Sequence, residues 1–269
     1  MHHGGTYVDA TFGAGGHTRA IVAAGGRVLA FDRDPSAHVP ADLAESVTLV
    51  RANFAGLAQS LGQLGVAQID GALFDVGVSS MQLDRSERGF SVLADGPLDM
   101  RMNDAEGPTA YDLLAQSSEA ELADIFFHYG EDRAARRIAR AIVQARDAGR
   151  LPARTLELAK IVAGVTHRSG HRERIHPATR VFQGLRIAVN DELGSLERGL
   201  DAAIGFLRPA ARIAAISFHS LEDRIVKQRF RDDERVRRLT KKPLIAGDDE
   251  LARNPRARSA KLRVAERLP

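Results

Sequence analysis

Four short apolar runs fall within the first 75 residues: Tyr7-Val8, Val28-Leu29-Ala30-Phe31, Val47-Thr48-Leu49-Val50 and Ala72-Leu73-Phe74. Runs of this length, apolar on both faces, suit the buried strands of a parallel sheet. Between them His17 to Ala24 and Ala55 to Leu64 fit helices, and Gly25-Gly26 supplies a stop signal after the first. A strand, helix, strand succession requires crossover connections, so an α/β chain with a doubly wound sheet is expected.

The next comparable run, Arg212 to Phe218, begins 137 positions after Asp75. One crossover helix needs far less chain, and the pattern across the gap is helical. Ser118-x-x-Glu121 has the form of a capping box ahead of Leu122, Ile125 and Phe126. Leu185, Val189, Leu193, Leu196, Leu200, Ile204 and Leu207 recur at three- and four-residue steps, predicting one face of a long helix. The expected organisation is a discontinuous sheet domain, 1–98 with 188–269, interrupted by a helical insertion over 99–187. After the late strand, Ser220-Leu221-Glu222-Asp223 is placed to cap a helix through Ile225, Val226 and Phe230. Arg231 to Arg253 reads as polar and irregular, and Lys261 to Ala265 as a final strand at the sheet edge. There is no internal repeat.

Of the 269 residues, 44% are hydrophobic and 27% charged, which is ordinary for a chain that buries a core. No stretch reaches the ~18 apolar residues a membrane span requires. With no cysteine, disulfides, thiolate metal sites and a cysteine nucleophile are excluded, and a cytoplasmic location is the simplest expectation. The net charge is only +3, yet residues 224–269 hold 15 Lys/Arg against 7 Asp/Glu. A second basic cluster, Arg133, Arg136, Arg137 and Arg140, lies on an expected helix. Such clusters suit either a polyanionic partner or a solvated face.

Asp9-Ala-Thr-Phe-Gly-Ala-Gly-Gly-His17 joins the first strand to the first helix. Glycines allow positive φ and close approach of a ligand, and the helix N-terminus offers unpaired N–H groups. A dinucleotide site expects G-x-G-x-x-G. Here Gly13-x-Gly15 is followed by Thr18 where the third glycine should stand, and Asp9 lies four residues before the first glycine. An acid there can engage the amino-acid end of S-adenosylmethionine, so the turn from Asp9 to Gly16 is read as the seat of that cofactor. Asp32 closes the second strand, where it can accept from both ribose hydroxyls. Asn53-Phe54 follows the third strand, where it can flank an adenine. Asp75-Val-Gly-Val-Ser-Ser80 leaves the fourth strand at the end where ligands of open α/β sheets bind.

From Asp75 onward the chain resembles the bacterial ribosomal RNA small-subunit cytosine-N4-methyltransferases, the MraW/RsmH family. The matching strings are Asp9 to His17, Phe31-Asp-Arg-Asp-Pro35, Asp75-Val-Gly-Val-Ser-Ser-Met-Gln-Leu-Asp84, Arg88-Gly-Phe-Ser91 and Asp95-Gly-Pro-Leu-Asp-Met-Arg-Met102. They continue in His176-Pro-Ala-Thr-Arg180 with Phe182-Gln183, in Ile216 to Lys227, and in Asn254-Pro-Arg-Ala-Arg-Ser259. The resemblance implies a Rossmann-like class I S-adenosylmethionine methyltransferase sheet with an inserted all-helical domain. It implies methylation of the exocyclic N4 of a cytidine in the decoding region of 16S ribosomal RNA, with that RNA or the small ribosomal subunit as partner. It also implies cofactor contacts from Gly15, Gly16, His17, Asp32, Phe54, Asp75 and Gln82, to which the turn itself adds Asp9 and Gly13. Family members usually carry a further segment ahead of the first strand, so the start is expected to be either truncated or differently assigned here. The stretch from Arg231 to Glu250 also looks shorter than in many members.

The cytosine N4 amine is a weak nucleophile, its lone pair being delocalised into the ring. Transfer therefore needs in-line geometry and an acceptor for the amine hydrogen. Asp75, Ser79 and His219 are the catalytic candidates, with Ser80 and Ser217 beside them, and His219 has the alternative role of anchoring the helix after it. His167, His171 and His176 sit in a basic, thiol-free stretch and read as loop or phosphate contacts, so no metal is expected. Two other readings use the same features: an NAD-dependent oxidoreductase, and a non-catalytic ribosomal RNA-binding protein.

Overall fold

The computed structural model describes residues 2–166 and 176–269, so His167 and His171 lie outside the described residues. Contacts divide the chain into two compact units, 1–77 with 193–269, and 78–192.

The first unit is built on a seven-stranded sheet in the order β3-β2-β1-β4-β5-β7-β6. Its strands are β1 (Thr6–Asp9), β2 (Arg27–Asp32), β3 (Val47–Arg51), β4 (Ile69–Asp75), β5 (Leu207–Ser217), β6 (Val236–Arg238) and β7 (Lys261–Arg267). The first five pair in parallel, while β7 runs antiparallel to both β5 and β6. Between the strands come helices α1 (Gly16–Ala23) and α2 (Leu57–Gln63), with α9 (Glu192–Phe206) leading into β5 and α10 (Ser220–Asp232) following it. The alternation of β2 shows why both sheet faces need cover. Leu29 and Phe31 pack with Leu57, Leu61, Leu200 and Ile204, whereas Val28 and Ala30 pack with Phe12, Leu43 and Val47. Phe31 and Phe74 are wholly buried, and each such side chain stabilises the fold by roughly 1.5–3 kcal/mol.

The second unit is helical: α3 (Ser80–Asp84), α4 (Ala110–Gln116), α5 (Glu119–Asp124), a π-turn (Ile125–Tyr129), α6 (Ala135–Asp147), α7 (Thr155–Thr166) and α8 (Thr179–Asn190). Its core gathers Met100, Leu114, Leu122, Phe126, Ile138, Leu158 and Leu185. Capping boxes at Thr109/Asp112 and Ser118/Glu121 begin α4 and α5. Among the described residues no helix is long and apolar enough to cross a membrane.

Three expectations are corrected. The insertion leaves at residue 78 and ends at 192, wider than 99–187, because the loop carrying Phe90, Leu98, Met100 and Met102 packs into the helical core. The long helix expected from Leu185 to Leu207 is two helices. Asp191 takes the left-handed conformation, φ 46°, and ends α8 before α9 starts. Apolar spacing persists across that break, which is why periodicity alone missed it. The final strand is not the sheet edge. β6, together with the Leu244–Leu262 bridge, lies outside β7, so the stretch read as irregular contains a strand and a further helix, α11 (Asp248–Arg253).

Candidate active site

The glycine turn is stitched to three strands. Ala10 N–H donates to the Leu73 carbonyl at 2.8 Å and Phe12 N–H to the Phe31 carbonyl at 2.9 Å. Asp75 N–H donates to Thr11 Oγ1 at 2.7 Å, and Gly13 N–H donates to Asp32 Oδ2 at 2.9 Å. The turn is thereby held at the carboxyl ends of β1, β2 and β4, where a nucleotide-like ligand of such a sheet binds. Gly15 stands ahead of α1 with φ 77°, a left-handed conformation that favours glycine, and a Cβ there would come within 3.0 Å of the Phe12 ring. No side chain caps α1 and its first turn has no acid, so its N–H groups and positive end remain available.

Asp9 lies beneath this turn with no exposure. Its Oδ2 accepts from Thr18 Oγ1 at 2.7 Å and its Oδ1 from Thr11 N–H at 3.2 Å. Burial raises its pKa, against those two hydrogen bonds. Both oxygens of Asp9 are thus engaged within the turn, which it braces from below. Thr18 occupies the place where a dinucleotide motif would have its third glycine, and the structure shows it as the partner of Asp9. Thr11, which sequence reasoning did not single out, links Asp9 to Asp75. Its only signal was its place between the acid and the glycines.

Asp32 is held by Gly13 N–H and by Asp34 N–H, the latter at 2.8 Å, and burial raises its pKa as well. Phe54 meets Phe74 edge-on, with ring centroids 5.5 Å apart. Gly199 of α9 makes room for this pair, since a Cβ there would lie 2.6 Å from the Phe54 ring. Asn53 fixes the approach, accepting from Ala55 N–H at 2.9 Å and donating to Ser195 Oγ at 3.0 Å.

At the end of β4, Asp75 Oδ2 lies 3.3 Å from His17 Nε2. That hydrogen bond, reinforced by the carboxylate charge, raises the His17 pKa. Asp75 Oδ1 is buried and has no partner among the described residues. A buried carboxylate oxygen without a donor is costly, so this atom calls for a donor from a ligand. The ammonium of an amino-acid moiety fits it.

The remaining candidates have structural work. His219 caps α10: its Nδ1 accepts from Glu222 N–H at 3.4 Å, while Glu222 Oε2 accepts from the amides of Phe218 and His219 at 2.8 and 3.2 Å. Ser217 is buried, with Oγ 3.4 Å from the Lys261 carbonyl. Ser79 and Gln82 belong to the helical unit, where they form the capping box of α3, and Gln82 Nε2 also lies 3.4 Å from the Met102 carbonyl. The side chain of Ser80 lies outside the described residues. His176 Nδ1 accepts from Ala178 N–H at 3.2 Å.

A glycine turn after β1, acids ending β2 and β4, and a parallel sheet extended by an antiparallel β7 define a class I methyltransferase that uses S-adenosylmethionine. A model of the MraW methylase family matches residues 1–268, and the chain belongs to that family. It is 53% identical to "Ribosomal RNA small subunit methyltransferase H" of Geobacter sulfurreducens, covering 98% of this chain and 93% of that protein. It is 51% identical to the protein of the same name from Sorangium cellulosum, covering 98% of this chain and 85% of that one. Among solved structures it is similar to an rRNA methylase from Streptococcus thermophilus, at 11% identity and TM-score 0.46, over 99% of this chain and 88% of that one. Membership of the family replaces the oxidoreductase reading.

Proposed function

We propose that this protein transfers the methyl group of S-adenosylmethionine to the exocyclic N4 of a cytidine in the decoding region of 16S ribosomal RNA, in the cytoplasm. The near full-length likeness to relatives named as small-subunit ribosomal RNA methyltransferases carries this reading. S-adenosylmethionine supplies an electrophilic methyl group on a sulfonium sulfur. The chain's own residues provide the rest. Asp75 offers Oδ1 to the cofactor ammonium, or to the cytosine amine, while His17 holds the carboxylate and Thr11 the backbone N–H of the same residue. Asp32 accepts from the ribose hydroxyls, Phe54 flanks the adenine, and Gly13, Gly15 and Gly16 let the backbone approach. Gln82 and Ser79 take their cofactor and acceptor roles from the family resemblance alone. His219 serves by holding α10, so the amine hydrogen is left to Asp75, to Ser79 or to a backbone carbonyl.

The test is incubation with labelled S-adenosylmethionine and small subunits from a strain lacking the modification, followed by nucleoside analysis. N4-methylcytidine is expected. Label on another base or position would overturn the assignment, and RNA binding without any transfer would favour a non-catalytic role.

A further inference from the structure

The helical unit displays an exposed aromatic on a rigid, unusual backbone. Phe127 is 57% exposed, although only 5% of the chain is aromatic, and its ring meets His128 edge-on at 5.1 Å. Both stand on the π-turn Ile125–Tyr129, a conformation that is rare and recurs at functional sites. Widening the helix there disturbs the carbonyl pattern, and α8 restores it. Gln183 Nε2 donates to the Tyr129 carbonyl at 2.8 Å and Arg180 Nη1 to the Glu131 carbonyl at 3.0 Å. Gly184 and Gly130 permit the close approach: a Cβ at Gly130 would lie 2.6 Å from the carbonyls of Arg180 and Phe126. Arg180 and Gln183, conspicuous in the sequence, thus fix the turn that presents Phe127.

Charge follows directly along the chain. Asp132 N–H donates to the Phe126 carbonyl at 3.0 Å, so the segment between them is a closed loop. The Cα atoms of Phe127 and Arg133 consequently lie within about 15 Å of each other. Arg133, Arg136 and Arg137 are exposed and make no hydrogen bond or ion pair among the described residues. Their neighbours on α6 are committed. Arg140 pairs with Glu119 at 3.4 Å, and Arg146 donates to the carbonyls of Leu114, Ala115 and Ser117. Three unpaired guanidiniums beside an exposed ring match a nucleotide chain, whose phosphates take arginine and whose unstacked bases take an aromatic face.

We propose that Phe127, with Arg133, Arg136 and Arg137, forms a ribosomal RNA contact surface on the helical unit, the ring stacking one base and the arginines holding adjoining phosphates. This rests on the ribosomal RNA reading above and adds the surface that reads the RNA.

The test measures binding of transcribed 16S ribosomal RNA across a salt series for the intact protein, F127A, F127W and the triple variant R133A/R136A/R137A. All four substituted side chains are exposed, so thermal stability and S-adenosylmethionine affinity should match the parent. F127A is expected to weaken binding roughly tenfold with the salt slope unchanged, and F127W to restore it. The triple variant should lower the salt slope by about 2–3. Unchanged affinity for F127A, or an unchanged slope for the triple variant, would overturn this surface while the parent's binding and methylation kept the functional reading intact. A parent that neither binds nor methylates the RNA would remove both.

Discussion

One oxygen of Asp75 stands 3.3 Å from Nε2 of His17, and its other oxygen is buried with no partner among the described residues. Substituting Asp75 therefore removes the acceptor the site holds ready. A charge-assisted hydrogen bond contributes about 1.5–3 kcal/mol, so D75N and D75A should weaken S-adenosylmethionine binding roughly 10- to 100-fold. Calorimetric titration reads this directly, and unchanged affinity would refute the role given to Asp75.

The same pair sets a pH dependence. The folded-state pKa of His17 is raised above 6.5, chiefly by its hydrogen bond to Asp75. The stability this contributes is fully present below pH 6.5 and is lost as pH rises through the raised folded value. Thermal midpoints followed upward from about pH 6 should fall slightly more in the parent than in H17Q, a small difference because the pair is partly solvated. A difference growing in the opposite direction would contradict the pairing.

Gly15 and Gly16 should separate fold from ligand. At Gly15 a side chain meets both a φ of 77° and the Phe12 ring, so G15A should cost about 1 kcal/mol or more of stability and also impair cofactor binding. At Gly16 a Cβ meets nothing within 4 Å, so G16A should keep the parent's stability. Any loss of cofactor affinity in G16A then reports a steric contact with the ligand. Urea unfolding beside cofactor titration distinguishes the two cases.

Asn190 ties the helical unit's irregular segment to α8. It accepts from Met102 N–H at 2.8 Å and donates to the carbonyls of Met100 and Arg186 at 2.7 and 2.9 Å. Met100, which it holds, is wholly buried at a positive φ of 61°. N190A would leave buried backbone groups without partners and should destabilise the protein by about 3 kcal/mol. A denaturation midpoint within error of the parent would show that the segment is fixed by packing alone.

Much of the sheet was legible because its physics is local. Apolar runs of three or four residues, each closed by an acid, mark β2 and β4, and the acids at 9, 32 and 75 stand at strand ends by counting alone. Local pattern was blind to events decided by single backbone angles or by distant partners. Asp191 breaks the helical run without interrupting its apolar spacing. The residues 236–238 are too short and too charged to read as a strand until β7 pairs with them.

The candidate site divides along the same line. Residue order alone put a glycine turn, two acids and an aromatic at the carboxyl ends of β1 to β4, since a parallel sheet brings those ends together. What each side chain does there depended on three-dimensional company. Asp9 became a buried brace because Thr18 and Thr11 reach it, and His219 became a helix cap because Glu222 folds back beneath it. Among the described residues, Asp75 alone was left with a buried, unpartnered oxygen. Hydrogen-bond satisfaction is a property of the assembled fold, so only the tertiary structure could separate the acid with an unpartnered oxygen from the acid that holds the turn.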